Sequence, residues 1–118
     1  MQKIGWIGVG IMGKAMVRNL MKAGFEVHIY ARHPEKMADV TAEGAVLHGT
    51  IGDCVRASKV VITMVGFPQD VEEVYFTPGN ILDSAAQGTI LMDMTTTSPT
   101  LAQRIYREGT ARGLRVLD

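Results

Sequence analysis

The sequence predicts an α/β fold, a doubly wound parallel sheet of six strands with helices on both faces. Two observations predict it. Short apolar runs alternate with helical patterns along all 118 residues, as in proteins whose parallel strands are joined by helices. The run VVITMV at residues 60–65 is almost continuously apolar, which is typical of a strand buried on both faces of its sheet.

The predicted elements follow one another in a regular order. Strands are expected at residues 3–9, 26–31, 45–47, 60–65, 89–94 and 115–117. Helices are expected at residues 12–23, 34–44, 51–57, 70–76 and 99–113, with a short apolar turn near residues 81 and 82. In a doubly wound sheet these six strands take the order 3-2-1-4-5-6.

Local residues support the predicted helix ends. Gly24 lies just past the first helix, where a glycine commonly ends a helix. Pro34 suits the first position of the second helix, and Ser98-Pro99 supplies an N-cap and a first-turn proline for the last one. The apolar stripe of the first helix is predicted to comprise Ala15, Met16, Leu20 and Met21.

Composition limits the function classes. The chain has 47% apolar and 20% charged residues, like an ordinary soluble single domain, and its 12 basic and 12 acidic residues give zero net charge. This balance argues against nucleic acid and anionic membranes as partners. The N-terminus enters a strand directly, so no leader is expected. Cys54 is the only cysteine, which excludes an internal disulfide, favours a buried structural thiol and suits the cytoplasm.

A glycine motif marks the first strand-to-helix junction. Residues 4–13 read IGWIGVGIMG and contain Gly8-x-Gly10-x-x-Gly13. In dinucleotide-binding Rossmann folds the first glycine permits a tight turn, the second lets a pyrophosphate approach the backbone, and the third lets the helix pack closely on the sheet. The alternative is a glycine-rich turn without a ligand. The expected cofactor contacts here are Gly8, Val9, Gly10, Ile11, Met12 and Gly13.

The end of the second strand should select the cofactor. An NAD site usually has an acidic residue about 20 positions after the last motif glycine, but here Arg32 follows Ala31. A guanidinium can bind a 2′-phosphate through two hydrogen bonds, so NADP is predicted, with NAD as the alternative. His33 and Lys36 are further candidates, although a surface role is the more ordinary interpretation of both.

Two further loops should reach the same edge of the sheet. After the fourth strand, Val65-Gly66-Phe67-Pro68 either lies along the ribose next to the nicotinamide through its backbone or forms a simple turn. Met64, Val65 and Gly66 are the candidate cofactor contacts here. After the fifth strand, residues 95–98 read TTTS. Ser98 is the expected helix cap, while the threonines could bind a ribose or a substrate carboxylate.

The residues themselves show no catalytic constellation. His28 and His48 are far apart in sequence and have no evident partner, so core or surface roles are expected. Asp93 is interpreted as a support for the following loop rather than as a base. Neither a nucleophile motif nor a metal-ligand spacing is present in the sequence.

With these motifs assembled, the chain resembles the N-terminal domain of the β-hydroxyacid dehydrogenases, which include 3-hydroxyisobutyrate and 6-phosphogluconate dehydrogenases. Residues 5–16 (GWIGVGIMGKAM), with residues 19–20 (NL) and 22–24 (KAG) after them, are similar to the family's opening signature. Residues 93–99 (DMTTTSP) look like its second conserved loop. The resemblance extends over essentially the whole chain.

The resemblance implies a division of labour between two domains. Thr96 would lie near the nicotinamide and the substrate, while a lysine from a following helical domain would transfer the proton. A Ser-Gly-Gly loop just beyond this domain would hold the substrate carboxylate. The lysine and the loop are absent from these 118 residues, and Lys14 and Lys22 lie in the wrong place to replace the lysine, so no catalytic residue is expected in this chain.

Four positions differ from the family pattern. Ala31 stands where NADP-using members often have Asn, Val65-Gly66 where a Leu-Pro pair is common, and Asp70 where some relatives have Asn near the cofactor.

The expected function is therefore that of the NADP-binding domain of an oxidoreductase that acts on a small hydroxyacid or semialdehyde, inactive in isolation. Its expected partner is a small carboxylate substrate in the full-length enzyme, which would form the homo-oligomer. The main alternative is a stand-alone nucleotide-binding sensor. A further alternative is a methyltransferase that uses S-adenosylmethionine, although such an enzyme usually has an acidic residue where Arg32 stands.

Overall fold

Six parallel strands form a single sheet. The computed structural model describes residues 2–8, 11–65, 68–94 and 98–117. The strands are β1 (Lys3–Ile7), β2 (Glu26–Tyr30), β3 (Val46–Leu47), β4 (Val60–Thr63), β5 (Ile90–Asp93) and β6 (Arg115–Leu117). Their order is β3-β2-β1-β4-β5-β6, and every neighbouring pair is parallel. The predicted doubly wound α/β fold and its strand order are confirmed.

Helices connect the strands. They are α1 (Ile11–Lys22), α2 (Ala38–Ala42), α3 (Ile51–Arg56), α4 (Pro68–Phe76), α5 (Ile81–Ser84) and α6 (Pro99–Ala111), with a 3₁₀ helix at Pro34–Met37. The helix predicted over residues 34–44 is thus divided into two short pieces. His33 provides no side-chain cap to the first piece, and a tight bond from the Lys36 amide to the His33 carbonyl closes the first turn.

Each face of the sheet has its own hydrophobic core. The first core, under α1 and α2, includes Trp6, Val17, Val27, Ile29 and Val40, each at most 1% exposed. Burial of one such aliphatic side chain contributes about 1.5–3 kcal/mol. The second core, under α3 to α6, includes Ile7, Cys54, Val61, Tyr75, Leu91 and Ile105. The helices therefore cover both faces, as predicted.

The predicted apolar stripe of α1 is wrong in one member. Ala15 is exposed, whereas Val17 is completely buried against the sheet. The buried Gly13 lies one turn before Val17 on the same face of the helix. That face, with Leu20 and Met21 farther along, packs on the sheet.

Candidate functional site

The carboxyl ends of four strands meet at one edge of the sheet. The register pairs Ile7 with both Tyr30 and Thr63, and Thr63 with Asp93. The residues that follow each strand are held together by backbone bonds. The Gly8 amide donates to the Tyr30 carbonyl at 3.3 Å, the Met64 amide to Ile7 at 3.0 Å, and the Met94 amide to Thr63 at 2.8 Å. Ligands of doubly wound sheets bind at this edge, next to the switch between β1 and β4.

Gly8 makes the predicted turn out of β1. Its φ of +93° lies in the region that side-chain-bearing residues avoid. A Cβ at this position would overlap the Met64 carbonyl oxygen and lie 2.8 Å from Cγ1 of Val65. Glycine is thus required both by the backbone conformation and by the approach of the segment that follows β4. Of the other predicted members of this loop, Ile11, Met12 and Gly13 lie in the first turn of α1, while Val9 and Gly10 lie outside the described residues.

Arg32 lies at the same edge, two residues after β2. Ala31 before it is buried, whereas the Arg32 side chain is 66% exposed. Its Nη2 lies 3.7 Å from Oδ1 of Asp70 in the first turn of α4. This loose ion pair joins the end of β2 to the segment after β4. Exposed pairs of this kind contribute at most about 1 kcal/mol, so Arg32 is accessible to an anionic ligand.

His33 and Lys36, which follow Arg32, have the exposure and contacts of ordinary surface residues. His33 Nδ1 lies 3.7 Å from Oε1 of Glu35, and both side chains are well exposed. Lys36 is exposed in the 3₁₀ helix. The structure brings these two residues near the end of β2, but it shows no convergence of their side chains with Arg32.

Two buried hydroxyl groups and a carboxylate are linked by hydrogen bonds at the carboxyl ends of β4 and β5. Thr63 Oγ1 lies 3.0 Å from the Tyr75 hydroxyl and donates to Oδ1 of Asp93 at 2.9 Å. Thr63 and Tyr75 are at most 1% exposed. Burial raises the pKa of Tyr75, more than its bond with Thr63 lowers it, so this phenol stays protonated. The sequence predicts a supporting role for Asp93, but neither its bond with Thr63 nor the bond between Thr63 and Tyr75.

The expectation that His28 and His48 lack a partner is wrong. His28 Nδ1 lies 2.8 Å from His48 Nε2, and His28 Nε2 lies 2.6 Å from Oε2 of Glu26. β2 and β3 are neighbours, with His28 opposite Val46, so His48 follows close by. Burial, followed by repulsion from His28, lowers the pKa of His48, whereas the bond with His28 lowers that of Glu26. This cluster lies in the body of the sheet rather than at its carboxyl edge.

Ion pairs between α1 and α2 engage one of the two lysines considered above. Lys14 lies 3.2 Å from Asp39, which also contacts Arg18 at 3.0 Å. Arg18 also binds Glu43 at 2.9 Å. The hydrogen bond from Lys14 is the main reason why the pKa of Asp39 is lowered. Lys14 therefore braces two helices.

Two predicted supporting residues are confirmed. Ser98 caps α6, because its side chain accepts from the Leu101 amide at 3.1 Å. Cys54 is fully buried, and this burial raises the pKa of its thiol to about 12. Gly66 and Thr96 lie outside the described residues.

The described part of the chain offers neither a membrane-spanning helix nor a metal-binding cluster. None of its helices is long and apolar enough to cross a membrane. Within the same residues, no group of three or more His, Cys, Asp or Glu side chains is placed to hold a metal ion.

Comparison with known proteins assigns the family. A family model described as the NAD binding domain of 6-phosphogluconate dehydrogenase matches residues 3–118. The chain belongs to this family. It is 42% identical over 115 residues to an uncharacterized oxidoreductase, YkwC, of Bacillus subtilis, a match that covers 98% of this chain and 40% of that relative.

Solved structures agree with this assignment. A Mycobacterium tuberculosis 3-hydroxyisobutyrate dehydrogenase with L-serine superposes with a TM-score of 0.89 at 28% identity, covering 98% of this chain and 39% of that one. A protein called Psf3, in complex with NADP⁺ and 2-OPP, gives 0.91 at 28% identity, covering 98% and 41%. The chain thus spans about 40% of the length of these proteins. The resemblance described from the sequence is confirmed, and the chain is an NAD(P)-binding domain of the β-hydroxyacid dehydrogenase type.

Proposed function

We propose that this chain is the NADP-binding domain of a β-hydroxyacid-type dehydrogenase. When bound, NADP supplies the hydride acceptor or donor for a small hydroxyacid or semialdehyde. The observation that carries the proposal is the arrangement of the carboxyl edge: the Gly8 turn, the amino-terminal end of α1 and the exposed Arg32 all lie there. Psf3, which resembles the chain closely in fold, was solved with NADP⁺.

The residues of this edge suit a dinucleotide. The amide groups and positive dipole end of α1 would bind the pyrophosphate, helped by the lack of side chains on Gly10 and Gly13. Arg32 would bind the 2′-phosphate, exchanging its weak pair with Asp70 for a doubly charged partner. Ala31, His33 and Lys36 complete the adenosine side of the proposed site, at its periphery.

The nicotinamide would lie over the ends of β4 and β5. Met64, Val65 and Gly66 would line its ribose through their backbone, and Thr96 would lie between nicotinamide and substrate. We assign the proton-transferring lysine and the homo-oligomer contacts to a helical domain outside this chain, and the substrate carboxylate to a loop just beyond the present domain. The chain covers about 40% of its relatives, which leaves room for that domain. A cytoplasmic location remains part of the proposal and is consistent with a single, buried cysteine.

Nucleotide titration tests the proposal. Trp6 is the only tryptophan and is fully buried, and its emission overlaps the absorption of reduced nicotinamide, so energy transfer reports binding of NADPH and NADH. We expect tighter binding of NADPH. Loss of a charge-assisted phosphate contact in Arg32→Asp should weaken NADPH binding by about 10- to 100-fold and leave NADH nearly unchanged.

The matched control is Lys59→Asp, which makes the same charge change at an exposed position before β4, at the opposite edge of the sheet. It should retain the preference for NADPH. Absence of binding by the wild-type chain would contradict a cofactor role, and equal affinity for both nucleotides would contradict NADP selection. The 118-residue chain should turn over no hydroxyacid, measured by NADPH absorbance. If this chain bound nucleotide, but neither it nor the full-length protein turned over a hydroxyacid, the alternative of a nucleotide-binding sensor would be favoured.

A further inference from the structure

We propose that the hydrogen-bonded chain Tyr75–Thr63–Asp93 positions the nicotinamide end of the cofactor site and leaves the adenosine end unaffected. Tyr75 and Thr63 are then positioning residues that act through Asp93 and the loop after it. This inference rests on the proposed function, since it names the residues that shape one half of the same site.

The direction of each hydrogen bond follows from the groups involved. A carboxylate only accepts, so the single proton of the Thr63 hydroxyl goes to Oδ1 of Asp93, 2.9 Å away. Thr63 Oγ1 must therefore accept from the Tyr75 hydroxyl at 3.0 Å. The order is Tyr75 to Thr63 to Asp93, one proton donated at each step. Satisfied buried networks of this kind hold their members in one arrangement.

The location of Tyr75, Thr63 and Asp93 explains why they should affect only the nicotinamide half of the site. Thr63 is the last residue of β4 and Asp93 the last residue of β5, and the two are paired in the sheet register. The two loops proposed to contact the nicotinamide half begin directly after these residues. Arg32, in contrast, follows β2, which β1 separates from β4, and its described contact with α4 is the loose ion pair with Asp70 rather than a contact with Tyr75. The described hydrogen bonds of Tyr75 and Thr63 remain within α4, β4 and β5.

The polar groups are also unnecessary for packing. Tyr75 belongs to the second core and is surrounded by apolar side chains such as those of Val71 and Leu91. Phenylalanine would fill the same volume, and valine would replace Thr63 in a strand that otherwise reads VVI. A hydroxyl chain in such surroundings adds no buried apolar area, so its contribution is the orientation that it gives to Asp93.

The test compares two ligands on the 118-residue chain. NADPH has both halves of the cofactor, whereas 2′,5′-ADP has only the adenosine half. Loss of one buried hydrogen bond in Tyr75→Phe should weaken NADPH about three- to tenfold, while the affinity for 2′,5′-ADP, measured by calorimetry, stays the same. Thr63→Val should act in the same direction, Thr63→Ser should restore wild-type behaviour, and the double variant should be less than additive because both act through Asp93.

Tyr106→Phe is the matched control, because Tyr106 is 59% exposed on α6; both affinities should remain unchanged. A structural defect would weaken the binding of both ligands together. If Tyr75→Phe and Thr63→Val lost as much affinity for 2′,5′-ADP as for NADPH, the inference would be overturned. Unchanged NADPH binding in both variants would overturn it as well. Failure of the wild-type chain to bind either ligand would instead overturn the proposed function, and the inference with it.

Discussion

Substitution of Gly8 by alanine should destabilise the fold by more than its backbone conformation alone explains. An L-residue at the φ of +93° adopted by Gly8 costs about 1–2 kcal/mol. The new Cβ would also overlap the Met64 carbonyl oxygen. That carbonyl belongs to a segment held to β1 by the bond from the Met64 amide to Ile7, so relief requires movement of backbone. Overpacking of this kind costs about 1–3 kcal/mol more.

A matched substitution separates the two contributions. Gly88 has a φ of +89°, yet among the described residues other than its two chain neighbours no heavy atom lies within 4 Å of a Cβ built on it. Gly88→Ala should therefore lower the free energy of unfolding by about 1–2 kcal/mol, the conformational part alone. Gly8→Ala should lower it by about 2–5 kcal/mol, the sum of the two parts.

Equilibrium unfolding in urea, followed by the fluorescence of the buried Trp6, measures both variants on the same scale. The dependence on urea concentration should be the same in all three proteins, since the area exposed on unfolding is unchanged. If Gly8→Ala lost no more stability than Gly88→Ala, the close approach of β1 and the segment after β4 would not constrain this position.

Three further predictions concern residues that are not proposed to contact the cofactor. The pKa of His48 is lowered in the fold, so the unfolded chain binds this proton more readily and the free energy of unfolding should fall as the pH drops below 6.5. In urea titrations, His48→Gln should lose less stability than the wild-type chain over the same pH range, and equal losses would contradict this. The Cys54 thiol, with a pKa of about 12 and no exposed surface, should resist iodoacetamide at pH 8 until urea unfolds the chain, as read by mass spectrometry; rapid labelling of the native chain would argue against burial. Ser98→Ala should remove the cap of α6 and reduce the free energy of unfolding by about 1 kcal/mol, whereas Ser98→Asp should retain it; equal losses would exclude capping as the cause.

Much of the fold could be predicted because local signals agree with one another. The apolar strands, the glycine turn at Gly8 and the capped start of α6 are each readable within a few residues. With the alternation established, the doubly wound order leaves few topologies to consider. The short helical pieces after β2 were less predictable, because the chain there has weak capping and no strong apolar period.

Most of the missed contacts join residues distant in sequence, the bond between His28 and Glu26 being an exception. Thr63 and Tyr75 meet because α4 folds back over β4, and Arg32 reaches Asp70 across the edge of the sheet. The pairing of His28 with His48 depends on the register between β2 and β3. A partial signal existed for that pair, since the predicted order already made these strands neighbours. Side-chain geometry, however, follows from packing that periodicity does not describe.

The placement of the two cores gives the chain a modular construction. Apart from Ile62, the buried members of the first core precede residue 46, and apart from Ile7, those of the second core follow residue 50. The sheet joins these consecutive halves by the β1–β4 ladder. Substitutions among the buried side chains of one core therefore leave the packing of the other core largely intact. Selection can in this way alter recognition at the end of β2 separately from recognition at the ends of β4 and β5, and a molecule lying across the junction would clamp the two halves together.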